Sequence, residues 1–170
     1  LDAAATASVL AGLARSEGGF DLILSGDVSE DGYHSLVPGL LATTLGVPFI
    51  RGVTELSLAD GSASVARQLD GALERYQVDL PTVLSVGTGL NTPRVVTKLQ
   101  VMKVPMSKVS TLSAGDVGTD ESSLAPESCA TRVIGVRPAA QPRRNEVISG
   151  EPDQVVATLL ERLQESGVLA

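Results

Sequence analysis

The sequence is poor in aromatic residues, with two Tyr, two Phe and no Trp among 170 residues. Its core must therefore be aliphatic, and it offers no row of stacking rings of the kind that holds single-stranded nucleic acid. Cysteine and histidine are nearly absent. The lone Cys129 excludes an internal disulfide framework and a multi-cysteine metal site. The lone His34 leaves no histidine set for zinc. Bases are outnumbered, 13 Lys and Arg against 20 Asp and Glu, giving a net charge of −7. A nucleic-acid partner is not expected, because phosphate neutralisation needs clustered cations. No apolar run approaches the roughly 20 residues of a membrane span, and no basic stretch followed by an apolar one marks a signal peptide. These absences predict a soluble protein of a reducing compartment. The chain opens at Leu1, without an initiating Met, directly into "LDAAATASVLAGLA". That opening reads as the later part of a longer polypeptide.

What is present alternates. Residues 2–16 predict a helix with Val9, Leu10 and Leu13 on one face, stopped by Glu17 to Gly19. Phe20 to Ser25 predicts a strand buried on both faces of a parallel sheet. A polar loop follows, then a helix from about Ser35 to Leu45 with Pro38 in its first turn and Gly46 at its end. Val47 to Ile50 predicts another strand. The opening α-β-α-β order is that of a doubly wound, mainly parallel, Rossmann-like α/β sheet. Two Asp-Gly pairs, at 60–61 and 70–71, then predict antiparallel hairpins. After the second, Tyr76, Val78 and Leu80 alternate with Arg75, Gln77 and Asp79, and Thr82 to Val86 returns to the main sheet. From Gly87 to Ser149 regular pattern is scarce, and such a length of irregular chain implies a function for it. A last helix opens at Pro152, aligns Val156, Leu159, Leu160 and Leu163, and ends at Gly167. The expected organisation is a nucleotide-binding α/β portion over 1–90, an exposed loop over 91–109, and a partner-wrapping arm with its terminal helix over 110–170.

Two stretches carry candidate chemistry. "SGDVSEDGYHSLVPG" holds three acids, Asp27, Glu30 and Asp31, and no Lys or Arg, where a doubly wound fold places a nucleotide. The acids lack the alternate spacing and distal Glu of an EF-hand, so no metal is expected there. His34 reads as a loop histidine rather than a proton relay, and Cys129 as inert. "GLNTPRVVTKLQVMKVP" groups Arg94, Lys98 and Lys103, with Lys108 soon after, among Val95, Val96, Leu99, Val101 and Met102. A mixed basic and apolar loop suits docking to an acidic partner surface.

The run "LPTVLSVGTGLNTPRVVTKLQVMK" resembles the beta subunit of electron transfer flavoproteins. Leu80, Pro81, Asn91, Pro93, Arg94, Met102 and Lys103 stand at that family's spacing. "QLDGALE", "DLILSGDVSEDG" and "SAGDVG" resemble its hairpin, its nucleotide loop and its C-terminal arm, in order. The resemblance implies an alpha–beta heterodimer that shares one FAD, with AMP or a second FAD in the beta subunit, and no catalytic residue of its own. It implies that the nucleotide is held by Gly26, Asp27, Val28, Ser29, Glu30, Asp31, Gly32, Tyr33, His34, Ser35, Leu36 and Val37. Backbone N–H groups and the following helix N-terminus would take the phosphate, with Asp31-Gly32 as the turn and Ser35 as the helix cap. Val28, Tyr33 and Leu36 replace polar groups usual in the family. Gln68 takes the place of a flavin-proximal glutamate. Arg94, Thr97, Lys98, Leu99 and Met102 would dock flavin dehydrogenases such as acyl-CoA dehydrogenases, with Lys98 where many members have an anchoring leucine. The expected location is the cytoplasm, or the mitochondrial matrix in a eukaryote. The alternative is a stand-alone adenine-nucleotide-binding regulatory domain of universal-stress-protein type, which has no use for the long irregular region.

Overall fold

A computed structural model describes residues 1–30, 32–138 and 145–169. It divides into two compact units, Leu1–Arg132 and Val133–Ala170. The first begins with α1 (Ala3–Ser16), capped by the Asp2 carboxylate, which accepts from the Ala5 N–H at 2.9 Å. Strand β1 (Leu22–Gly26), helix α2 (Val37–Leu45) and strand β2 (Phe49–Ala59) follow. Strands β3 (Ser62–Leu69), β4 (Ala72–Asp79) and β5 (Thr82–Val86) complete one five-stranded sheet in the order β1-β5-β2-β3-β4.

The expected α/β architecture is there, with helices flanking a mixed sheet. β5 runs parallel to both β1 and β2, whereas β2, β3 and β4 pair antiparallel through the two Asp-Gly turns. Gly61 and Gly71 take φ of 73° and 86°, the left-handed conformation such turns require. β2 is longer than the expected Val47–Ile50 strand. Its first half belongs to the parallel layer and its second half to the hairpins.

Alternation along the strands divides the core in two. Ile23 of β1 packs toward a cluster of Ala7, Ala11 and Leu41 from the helices. On the other side, Leu84, Val53, Ala63 and Val65 form an aliphatic cluster joined by Leu22, Ile50 and Leu80. α1 buries Ala5, Ala7 and Ala11, not the predicted Val9, Leu10 and Leu13 face; Leu10 is 38% exposed. Small side chains let α2 and the later chain approach α1 closely. β1 is not buried on both faces either, because it ends the row of described strands, with Leu24 51% exposed.

After β5 the chain runs along the surface. A short helix, α3 (Lys98–Met102), stands in the region where the sequence shows little pattern. Thr97 caps it in a capping box, with the Gln100 side chain accepting from the Thr97 N–H at 2.9 Å. Single 3-10 turns follow, among them Gly115–Val117, which lies against α1. In the second unit, α4 (Pro152–Glu165) takes the expected position and leaves Val156, Leu159 and Leu160 about half exposed. No helix among the described residues is long and apolar enough to cross a membrane.

Candidate functional site

Open α/β sheets place ligands beyond the carboxyl ends of their parallel strands. Here those ends belong to β1, β5 and the first half of β2, and one polar network joins all three. Asp27, just past β1, accepts from Arg51 Nε on β2 at 2.9 Å and from Arg51 Nη2 at 3.3 Å. Ser85 of β5 donates its hydroxyl to Asp27 Oδ1 at 2.8 Å and accepts from the Gly52 N–H at 3.0 Å. Arg51 also donates to the Ser35 hydroxyl at 3.1 Å, so it ties the far end of the loop to β2. The acidic loop is therefore served by a base from another strand.

The loop backbone between these ties is unusual. Tyr33 and Ser35 both take φ of 52°, a left-handed conformation that costs a non-glycine residue energy. Tyr33 donates its N–H to the Ser29 carbonyl at 3.0 Å, which closes the turn. The predicted helix cap is corrected: Leu36, not Ser35, is the N-cap of α2, and it makes no side-chain capping bond. Ser35 is turned away by its left-handed backbone and bonds Arg51 instead. Gly26, Asp27, Val28, Ser29, Glu30, Gly32, Tyr33, His34, Ser35, Leu36 and Val37 lie in or beside this loop; Asp31 lies outside the described residues. Val28, Leu36 and Tyr33 are exposed, Tyr33 to 77%, so its ring is available to stack on a planar ligand.

The Asp27 carboxyl is held below the ordinary aspartate range. The hydrogen bond from Arg51 is the main cause, opposed by partial burial and reinforced by Ser85. A carboxylate whose folded pKa is depressed stabilises the fold above its unfolded pKa, and that contribution is lost as pH falls through the folded value. Urea unfolding is expected to show stability falling below about pH 5, with a small part of the fall missing in Asp27→Asn, since solvent screens the exposed Arg51. Parallel pH profiles for the two proteins would show that the pair contributes nothing.

The remaining predicted residues sit elsewhere. Gln68 is exposed near the end of β3, three places along the sheet from β1. Arg94, Thr97, Lys98, Leu99 and Met102 gather around α3, with Leu99 69% and Met102 80% exposed. Thr97 is exposed and caps the helix with its hydroxyl. Arg51 and Ser85 are not among the residues that sequence pattern singles out. Arg51 is the only Lys or Arg between Arg15 and Arg67, and it directly follows the apolar Val47–Ile50 run. A lone base at a strand end beside an acidic loop is the signal that marks it.

Compared with known proteins, residues 1–120 match the family model of the electron transfer flavoprotein domain. The match takes in α1, the whole sheet, the strand-end network and α3. It also covers well over half of the chain. The acidic strand-end loop and the exposed basic segment thus stand within one recognised domain, and the chain belongs to the electron transfer flavoprotein family.

Proposed function

We propose that this chain is a beta-type subunit that pairs with an alpha-type partner to form an electron carrier. The observation that carries this reading is the segment between Asp79 and Asp116. It contains Arg94, Lys98, Lys103 and Lys108 and no acid, in a chain of net charge −7. Val95, Leu99, Met102 and Met106 project from it at 93%, 69%, 80% and 79% exposure. Apolar anchors ringed by bases suit a dehydrogenase surface with an acidic rim, since such loops recognise partners by shape at the centre and charge at the edge. FAD shared with the partner subunit supplies the redox chemistry when bound, and this chain's own residues bind, orient and dock.

In this reading the loop over 26–37 holds the adenine nucleotide, AMP or a second FAD. The residues present fit such a group: an exposed Tyr33 ring for the base, and Ser35 with the Arg51 guanidinium for an anion. In the same reading Gln68 would face the flavin shared with the partner subunit and offer an amide hydrogen bond in place of an ion pair. The family match favours this carrier over a stand-alone nucleotide-binding regulator.

Co-expression with an alpha-type subunit is expected to yield a yellow heterodimer. A flavin ratio of one per heterodimer accords with AMP in the loop, and two with a second FAD. A colourless monomer that still binds adenylate would overturn the carrier reading. Within the heterodimer, the double substitution Leu99→Ala and Met102→Ala is expected to lower the rate of electron uptake from an acyl-CoA dehydrogenase about tenfold or more, as loss of central anchors does. Flavin content should stay constant, and the wild-type rate should fall with added salt. An unchanged rate would place docking elsewhere.

A further inference from the structure

The position of Arg51 is built rather than incidental. β2 pairs Ile50 with Leu84 and Val53 with Val86 of β5, so Arg51 and Gly52 together stand opposite the single Ser85. This is a β-bulge, a device that re-aims a side chain at the cost of ladder bonds. Gly52 meets the cost with φ of 69°, and its N–H is satisfied by the Ser85 hydroxyl at 3.0 Å. Ser85 is fully buried, and it fixes Asp27 with its own proton at 2.8 Å. The bulge thus turns Arg51 toward the end of β1 and the acidic loop.

Two of its neighbours accept from it there, Asp27 and Ser35, yet the side chain remains 54% exposed. An ion pair this open to water contributes little, because solvent screens it and both side chains lose freedom. Arg51 can therefore exchange partners at small cost. A phosphate offers what the carboxylate offers, with more charge and the same match to the planar guanidinium fork. Asp27 does not lose its other support on such an exchange, since Ser85 still donates to it.

We propose that Arg51 is the residue through which this site reads a phosphate group, with Asp27 its partner when no ligand is bound. The inference rests on the nucleotide reading of the loop and assigns specificity within it. The exchange makes Asp27 a competitor of the ligand, so the two ends of one ion pair have opposite effects on binding. A pair that served only to hold the loop shut would have the same effect at either end.

Calorimetric titration of the full chain with AMP, and with adenosine as the uncharged control, tests this. Arg51→Gln is expected to weaken AMP about tenfold or more and adenosine less than twofold, while Arg51→Lys falls between. Asp27→Asn is expected to tighten AMP severalfold and leave adenosine unchanged. Thermal melts of each variant establish that it is folded. If both substitutions weaken AMP and adenosine alike, the pair is only a clamp and the inference is overturned. If the wild-type chain binds adenosine as tightly as AMP, Arg51 does not read phosphate, although the loop remains a nucleoside site. Failure to bind either ligand overturns the nucleotide reading and this inference together.

Discussion

Leu84→Ala is expected to lower the unfolding free energy by about 2–5 kcal/mol, the range for deleting a buried leucine that its neighbours cannot replace. Leu84 is fully buried at the middle of β5, between Leu24 of β1 and Ile50 of β2. It touches the cluster of Val53, Ala63 and Val65, where the parallel layer meets the hairpins. Its removal therefore loosens both halves of the sheet at once. Val53, Ala63 and Val65 are small or β-branched side chains with few rotamers with which to fill the space. Total stabilities of about 5–15 kcal/mol make such a loss a large fraction of the whole. Chemical denaturation followed by circular dichroism measures it. Leu58→Ala on β2 is the control, since Leu58 is 60% exposed and should change stability by no more than about 0.5 kcal/mol. A loss below about 1 kcal/mol at Leu84 would mean that the site closes up after truncation, contrary to its packing.

The parts of this fold that are legible in the sequence are those fixed by neighbours in the chain. Asp60-Gly61 and Asp70-Gly71 set two hairpins because two adjacent residues are enough to set a turn. Gly46 ends α2 and Pro152 begins α4 for equally local reasons. Burial is less legible. The apolar face of α1 suggests Val9, Leu10 and Leu13, but close approach to Leu41 selects the alanines, since hydrophobicity says what a residue tolerates and not which face meets a partner. α3 is short and set among prolines, and its one local signal is the Thr97 to Gln100 capping box. The candidate site is legible as a loop and not as a network. Asp27 lies 24 residues from Arg51 and 58 from Ser85, and it meets them only through strand order and a bulge. Ser35 looks like a cap by composition, but its backbone conformation gives it to Arg51.

Gly12→Ala is expected to release the segment around 115–119 from α1. A β-carbon at Gly12 would stand 2.2 Å from the Val117 carbonyl oxygen and 3.2 Å from Thr119 Oγ1, and the first of these is a backbone atom that cannot rotate away. Two effects oppose each other. Alanine favours the helix by about 1 kcal/mol over glycine. Overpacking against fixed backbone costs about 1–3 kcal/mol. At 2.2 Å the second should win, because the turn must move bodily to restore contact distance. Val117 and Thr119 are buried by this contact, at 7% and 9% exposure, so the movement uncovers both. The segment has a second anchor at Thr131, whose N–H donates to Asp2 Oδ2 at 2.9 Å beside the start of α1. That tie keeps the far end in place, so the expected result is an opened span rather than a lost fold. Thermal unfolding should begin lower, and limited proteolysis should cut between Lys108 and Arg132 faster than in the parent while the sheet stays protected. A higher melting temperature with unchanged proteolysis would mean that helix propensity outweighs the clash, and that Gly12 is not what seats this segment on α1.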